Sequence, residues 1–126
     1  MTVDSVDAVA LDWEDDPDRP GLHQVFAALS NPDRLAILAE LRPTCDDPHP
    51  ARTVTALARV IGVSRFAASR HLRQLCDAGL LEMNRCGKAM LHRLALPGLA
   101  QVEDWLYPIV DSLEGARGED SDLPMS

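Results

Sequence analysis

The sequence has little of what a secreted, membrane-bound or catalytic protein needs. No apolar run approaches the roughly 18–20 residues of a membrane span, so no transmembrane helix is expected. The opening segment, MTVDSVDAVALDWEDD, has neither a basic start nor an apolar stretch, so no secretory signal is expected. Cysteines number three, an odd count at wide spacing (Cys45, Cys76, Cys86). That is no disulfide framework, and it fits thiols in a reducing cytosol. There is no Gly-rich phosphate loop, no nucleophile motif and no internal repeat. Catalysis finds no support, and no cofactor is expected. At 126 residues the chain suffices for one compact domain with tails.

Positive charge is also scarce overall, with a net charge of −8, but the total hides an asymmetry. Residues 1–20 hold seven acids against Arg19, and residues 97–126 hold seven against Arg117. The centre, 21–96, has ten bases against six acids and is positive. A basic centre between acidic ends suits a DNA-binding module, although acidic termini are also simply well solvated. The composition divides the chain into an acidic extension (1–19), a domain (20–114) and a tail (115–126) whose GARGEDSDLPMS sequence predicts disorder.

Periodicity supplies the elements. Residues 1–19 carry only weak helical spacing before the break at Asp15-Asp16-Pro17-Asp18-Arg19-Pro20. Leu22, Val25, Phe26 and Leu29 fall at i, i+3, i+4 and i+7, which predicts an amphipathic helix. Asn31 is a good cap and Pro32 a good first residue for a second helix over about 32–42, closed by Pro43. The segment PTCDDPHPAR (43–52) reads as a loop. Val54, Leu57, Ala58 and Ile61 make a third helix, interrupted at Gly62. Ser64 caps a fourth, with Ala68, Leu72 and Leu75 inward, ending at Ala78-Gly79. From Leu80 the alternation changes to two short strands around Arg85-Cys86-Gly87-Lys88. A last helix follows Pro97-Gly98, and Pro108 is expected to kink it. The fold class is therefore mainly α with a small β-hairpin, in α-α-α-α-β-β-α order.

The informative stretch is 53–78. Two short helices joined by Gly62-Val63-Ser64 form a helix-turn-helix, with Gly62 giving the sharp turn its backbone freedom. With Ala68, Leu72 and Leu75 inward, the opposite face carries Arg65, Phe66, Ser69, Arg70 and Arg73, with Ser64 at its start. Three guanidiniums without an acid among them suit the phosphates and base edges of a major groove. Arg85 and Lys88 at the hairpin tip extend the same reading to a wing that touches the DNA backbone or minor groove.

These residues resemble those of the ArsR/SmtB family of small winged-helix bacterial transcriptional repressors. The similarity lies in VFAALSNPDRLAILAEL, LARVIGVSRFAASRHLRQLCDAGLL and NRCGKAMLHRL, and covers residues 22 to 110. The resemblance implies a homodimer paired through its first and last helices, bound to a palindromic double-stranded DNA operator and released by an inducer. The residues agree about the dimer. The stripes Leu22, Val25, Phe26, Leu29 and Leu99, Val102, Leu106, Ile109, Leu113 lie at the ends of a small domain with little core to cover them.

The resemblance also implies metal sites, and their ligands are missing. A Cys-x-Cys-type pair is absent from Ala51-Arg52-Thr53-Val54-Thr55, and the last helix offers Glu103, Asp104, Asp111 and Glu114 without histidine. No metal is expected. Two sensor alternatives stay open beside DNA reading: a soft metal at Cys45-Asp46-Asp47-Pro48-His49, and a reactive thiol at Cys86 or Cys76. A winged helix used only for protein contact is the remaining alternative.

Overall fold

A computed structural model describes residues 20–122 of the chain. The acidic extension 1–19 and the last four residues lie outside the described residues. Five helices and a hairpin follow in order: α1 (Leu22–Leu29), α2 (Pro32–Glu40), α3 (Val54–Ile61), α4 (Arg65–Asp77), β1 (Leu81–Cys86), β2 (Ala89–Leu94) and α5 (Leu96–Asp122). The order matches the one expected from periodicity.

Local chemistry accounts for the helix starts. The Asn31 side chain accepts from the Asp33 and Arg34 amides at 2.8 and 3.1 Å, and Pro32 takes the first helical position, where a missing N–H costs nothing. Thr53 caps α3 by accepting from the Ala56 amide at 3.2 Å, and Ser64 caps α4 by accepting from the Ala67 amide at 3.0 Å. At the end of α3, Gly62 takes a φ of +83°, which a β-carbon would oppose, and its amide donates to the Ala58 carbonyl at 2.9 Å. That residue sets the corner between α3 and α4.

Val25, Ile37, Leu41, Leu57, Leu72, Leu75, Leu80 and Leu81 form one core shared by the first four helices and the base of the hairpin. The strands pair antiparallel from Leu81 opposite Leu94 to Cys86 opposite Ala89, leaving Gly87-Lys88 as a two-residue turn. A third short edge joins them from the proline-rich segment read as loop. Arg52 and His92 exchange backbone hydrogen bonds, at 3.0 Å from the Arg52 amide and 2.7 Å from the His92 amide.

The start of α5 is pinned to the end of α4. The Gly98 amide donates to the Gly79 carbonyl at 2.7 Å, and a β-carbon on Gly98 would lie 2.7 Å from the Ala78 and Gly79 backbone. Only glycine permits that approach. Farther along, α5 continues as one helix through Pro108 and past Gly115 to Asp122. Residues 115–122 belong to this helix. Extending a formed helix needs no new nucleus, so a composition poor in apolar residues does not stop it.

Five residues of the expected dimer stripes prove to be engaged within the protomer. Val25 is fully buried in the core, and Leu29, Leu99 and Val102 pack against it. Phe26 is half-buried, its ring edge-on to Trp105 with centroids 5.4 Å apart. Leu106, Ile109 and Leu113 remain exposed, joined by Trp105, Tyr107 and Val110. Leu22 is half-buried. The uncovered apolar surface therefore sits mainly on α5 rather than on both terminal helices.

Candidate nucleic-acid interface

Helix α4 buries Ala68, Leu72 and Leu75, each no more than 2% exposed, and this fixes what its other face presents. Ser64, Arg65, Phe66, Ser69, Arg70 and Arg73 are all exposed. The hairpin stands beside this face, and between the two lies an open groove of about 920 Å³. Arg65, Arg70 and Arg73 line it from the helix and Lys88 from the turn. Apolar side chains of Val54, Leu72, Met83 and Met90 also line it, beside Thr53, Thr55 and His92.

The charges of the groove are not used up by the fold. Arg52 pairs with Asp47 and Arg93 with Glu82, both at 3.0 Å, so these two arginines serve the loop and the hairpin. Among the described residues, none of Arg65, Arg70, Arg73 and Lys88 has a carboxylate within ion-pair distance. One acid does enter: Asp77, at the C-terminal end of α4, also lines the groove. The acid-free surface is thus the N-terminal two-thirds of the helix, the part that reaches base edges when such a helix enters a major groove. Arg85 shares a hairpin face with Met83 by register and is exposed, but it lies outside the groove lining.

Behind α4 stands a clamp that sequence reasoning missed. The Arg34 guanidinium donates from Nε to the Ala28 carbonyl at 2.6 Å and from Nη2 to the Ala27 carbonyl at 3.3 Å. Its Nη1 bonds Gln74 Oε1 and lies 3.3 Å from His71 Nδ1. The other imidazole nitrogen of His71 is 3.7 Å from an Asp33 carboxylate oxygen. One arginine therefore closes the C-terminus of α1 and ties it to two residues of α4. Asn-Pro-Asp-Arg at a helix start was visible in sequence; the partners 37 and 40 positions away were not.

The alternative ligands fare differently from the basic face. Cys45 and Cys86 are exposed, and Cys76 is half-buried in the groove wall. Burial, then the neighbouring Asp77 carboxylate, pushes the Cys76 thiol up, away from the reactive thiolate. Asp47 of the Cys45–His49 loop is occupied by Arg52. Among the described residues no three His, Cys, Asp or Glu side chains cluster as metal ligands. His92, which also lines the groove, is buried and its pKa lies below the ordinary histidine value because burial disfavours the cation.

A helix-turn-helix followed by a basic hairpin, with one groove between them, defines a winged helix-turn-helix protein. A family model described as a helix-turn-helix domain matches residues 29–84. The HTH-type transcriptional regulator NmtR of Mycobacterium tuberculosis is 39% identical over 77 residues, 61% of this chain and 59% of that protein. The chain thus spans about three-fifths of that relative's length. Among solved structures, an ArsR-like transcriptional regulator from Rhodococcus sp. RHA1 matches with TM-score 0.60 and 29% identity, over 83% of this chain and 93% of that one. A fragment from Mycobacterium bovis, described as the homodimeric winged helix-turn-helix DNA-binding domain of a possible ArsR-family transcriptional regulator, matches with TM-score 0.53 and 30% identity over 71% and 77%. The chain belongs to the ArsR family of transcriptional regulators. Among the described residues, no helix is long and apolar enough to cross a membrane.

Proposed function

We propose that this chain binds double-stranded DNA sequence-specifically, as a homodimer on a two-fold symmetric operator, and represses transcription in the cytoplasm. The observation that carries the reading is the groove itself: Arg65, Arg70, Arg73 and Lys88 converge on it without carboxylate partners among the described residues. Arg65 and Arg70 are the base-reading candidates, because a guanidinium pairs bidentately with a guanine edge. Arg73 and Lys88 suit phosphates, with Lys88 a flexible point charge at the turn.

The dimer reading rests on α5. Leu106, Ile109 and Leu113 recur on one face of a helix that runs beyond the core, and each is at least 42% exposed. Such a ridge is covered by a second copy packed around a two-fold axis. The homodimeric M. bovis domain supports the same assembly. No resident metal or cofactor enters this account.

Selection of bound sequences from random duplexes tests the reading. A pseudo-palindromic sequence is expected, with half-sites about one helical turn apart or a small multiple of it. Affinity for it should fall with salt, with a log–log slope on the order of −4 if Arg73 and Lys88 of each protomer hold phosphates. Absence of any enriched sequence, with no salt-dependent DNA binding, would overturn the proposal.

A further inference from the structure

Phe66 presents a large apolar ring to solvent. The side chain is 75% exposed, the most exposed large hydrophobic residue described. It is the second residue of α4, placed by the Ser64 cap, and it lines the groove between Arg65 and Arg70. Within the protomer the other described phenylalanine, Phe26, is half-buried against Trp105; Phe66 has no such partner among the described residues.

Resting on the DNA-reading proposal, we infer that Phe66 is a specificity-determining residue whose ring meets the C5-methyl group of a thymine in each half-site. The major-groove edges of base pairs are lined by hydrogen-bond donors and acceptors, and the thymine methyl is their apolar feature. A guanidinium or hydroxyl gains nothing from that methyl, whereas a ring fixed in the first turn of the inserted helix buries it. Phe66 cannot hydrogen-bond a base, so it penalises any base that places an unpaired polar group beneath it. The operator is expected to hold one thymine per half-site next to the guanine contacts of Arg65 or Arg70.

Uracil substitution isolates this contact, because it removes the methyl and leaves every hydrogen-bonding group in place. The sequence selected from random duplexes is remade with uracil at each symmetric pair of thymines in turn. Burying one methyl amounts to about fourfold in affinity, so a symmetric pair amounts to about fifteenfold. Wild-type protein should lose about that factor at one pair only. Phe66→Ala should bind the thymine and uracil duplexes alike at that pair, and Phe66→Leu should retain an intermediate preference. Circular dichroism should match for all three proteins, because the ring is three-quarters exposed and contributes little to the core. Wild-type indifference to uracil at every position, or an unchanged thymine preference in Phe66→Ala, would overturn the inference while leaving sequence-specific binding intact. Failure to select any sequence would remove both.

Discussion

Replacing Arg34 by alanine removes a clamp made of one side chain, and the size of the effect follows from the hydrogen bonds that go with it. Nε leaves the Ala28 carbonyl, Nη2 leaves the Ala27 carbonyl, and the link to Gln74 on α4 is broken. A hydrogen bond from a charged donor contributes about 1.5–3 kcal/mol, and Ala28 is buried, so its carbonyl has poor access to water as a substitute. The Gln74 hydrogen bond is exposed and adds little. The expected loss is about 2–3 kcal/mol, which lowers Tm by on the order of 10 °C or more in a domain this small. Arg34→Lys keeps the charge but has a single ammonium in place of a planar fork, so it should recover less than half of the loss. Urea unfolding followed by circular dichroism measures both, with an unchanged slope showing that the unfolded state is the same. A loss below about 0.5 kcal/mol for Arg34→Ala would refute the reasoning, since that is the ordinary range for surface substitutions.

Gly98→Ala places a β-carbon 2.7 Å from the Ala78 and Gly79 backbone, so it should cost about 1–3 kcal/mol by overpacking; a thermal melt indistinguishable from wild type would show that α5 shifts freely against α4. For His92 the sign follows from its lowered pKa. Above the ordinary value of 6.5 both folded and unfolded forms are neutral, and as pH falls below it the unfolded chain takes up a proton first. Stability should therefore decline as pH drops from about 6.5 through the folded pKa and then level off, and His92→Gln should flatten that part of the profile. Ile109→Glu puts a charge on the exposed ridge of α5 and should yield a folded monomer by sedimentation, with operator affinity reduced by roughly tenfold or more; a dimer of unchanged stability would place the interface elsewhere.

Much of the fold was legible because local signals agree with one another. Asn31-Pro32, Ser64 and Gly62 mark helix ends by chemistry that operates within a few residues, and the spacing of Ala68, Leu72 and Leu75 fixes which side of α4 faces out. The basic groove followed from that one orientation. What stayed hidden depends on packing between distant segments. Val25 shares its spacing with Leu22 and Leu29, and only packing against other elements decides that it belongs to the core. Arg52 pairs with His92 across 40 positions, inside a proline-rich segment whose composition signals only loop. The hydrophilic stretch after Gly115 contains no apolar face to read, yet it continues a helix begun at Leu96.

Operator and random duplexes titrated in parallel with Arg70→Ala and Lys88→Ala test the central claim most directly. If α4 reads bases and the hairpin turn holds backbone, Arg70→Ala loses about 1–3 kcal/mol of discrimination for each guanine it pairs and weakens the operator far more than random DNA. Lys88→Ala weakens both alike and makes the salt slope shallower by about one per protomer. Equal losses on operator and random DNA for Arg70→Ala, with the circular dichroism spectrum unchanged, would contradict the assignment of α4 as the helix that reads the sequence.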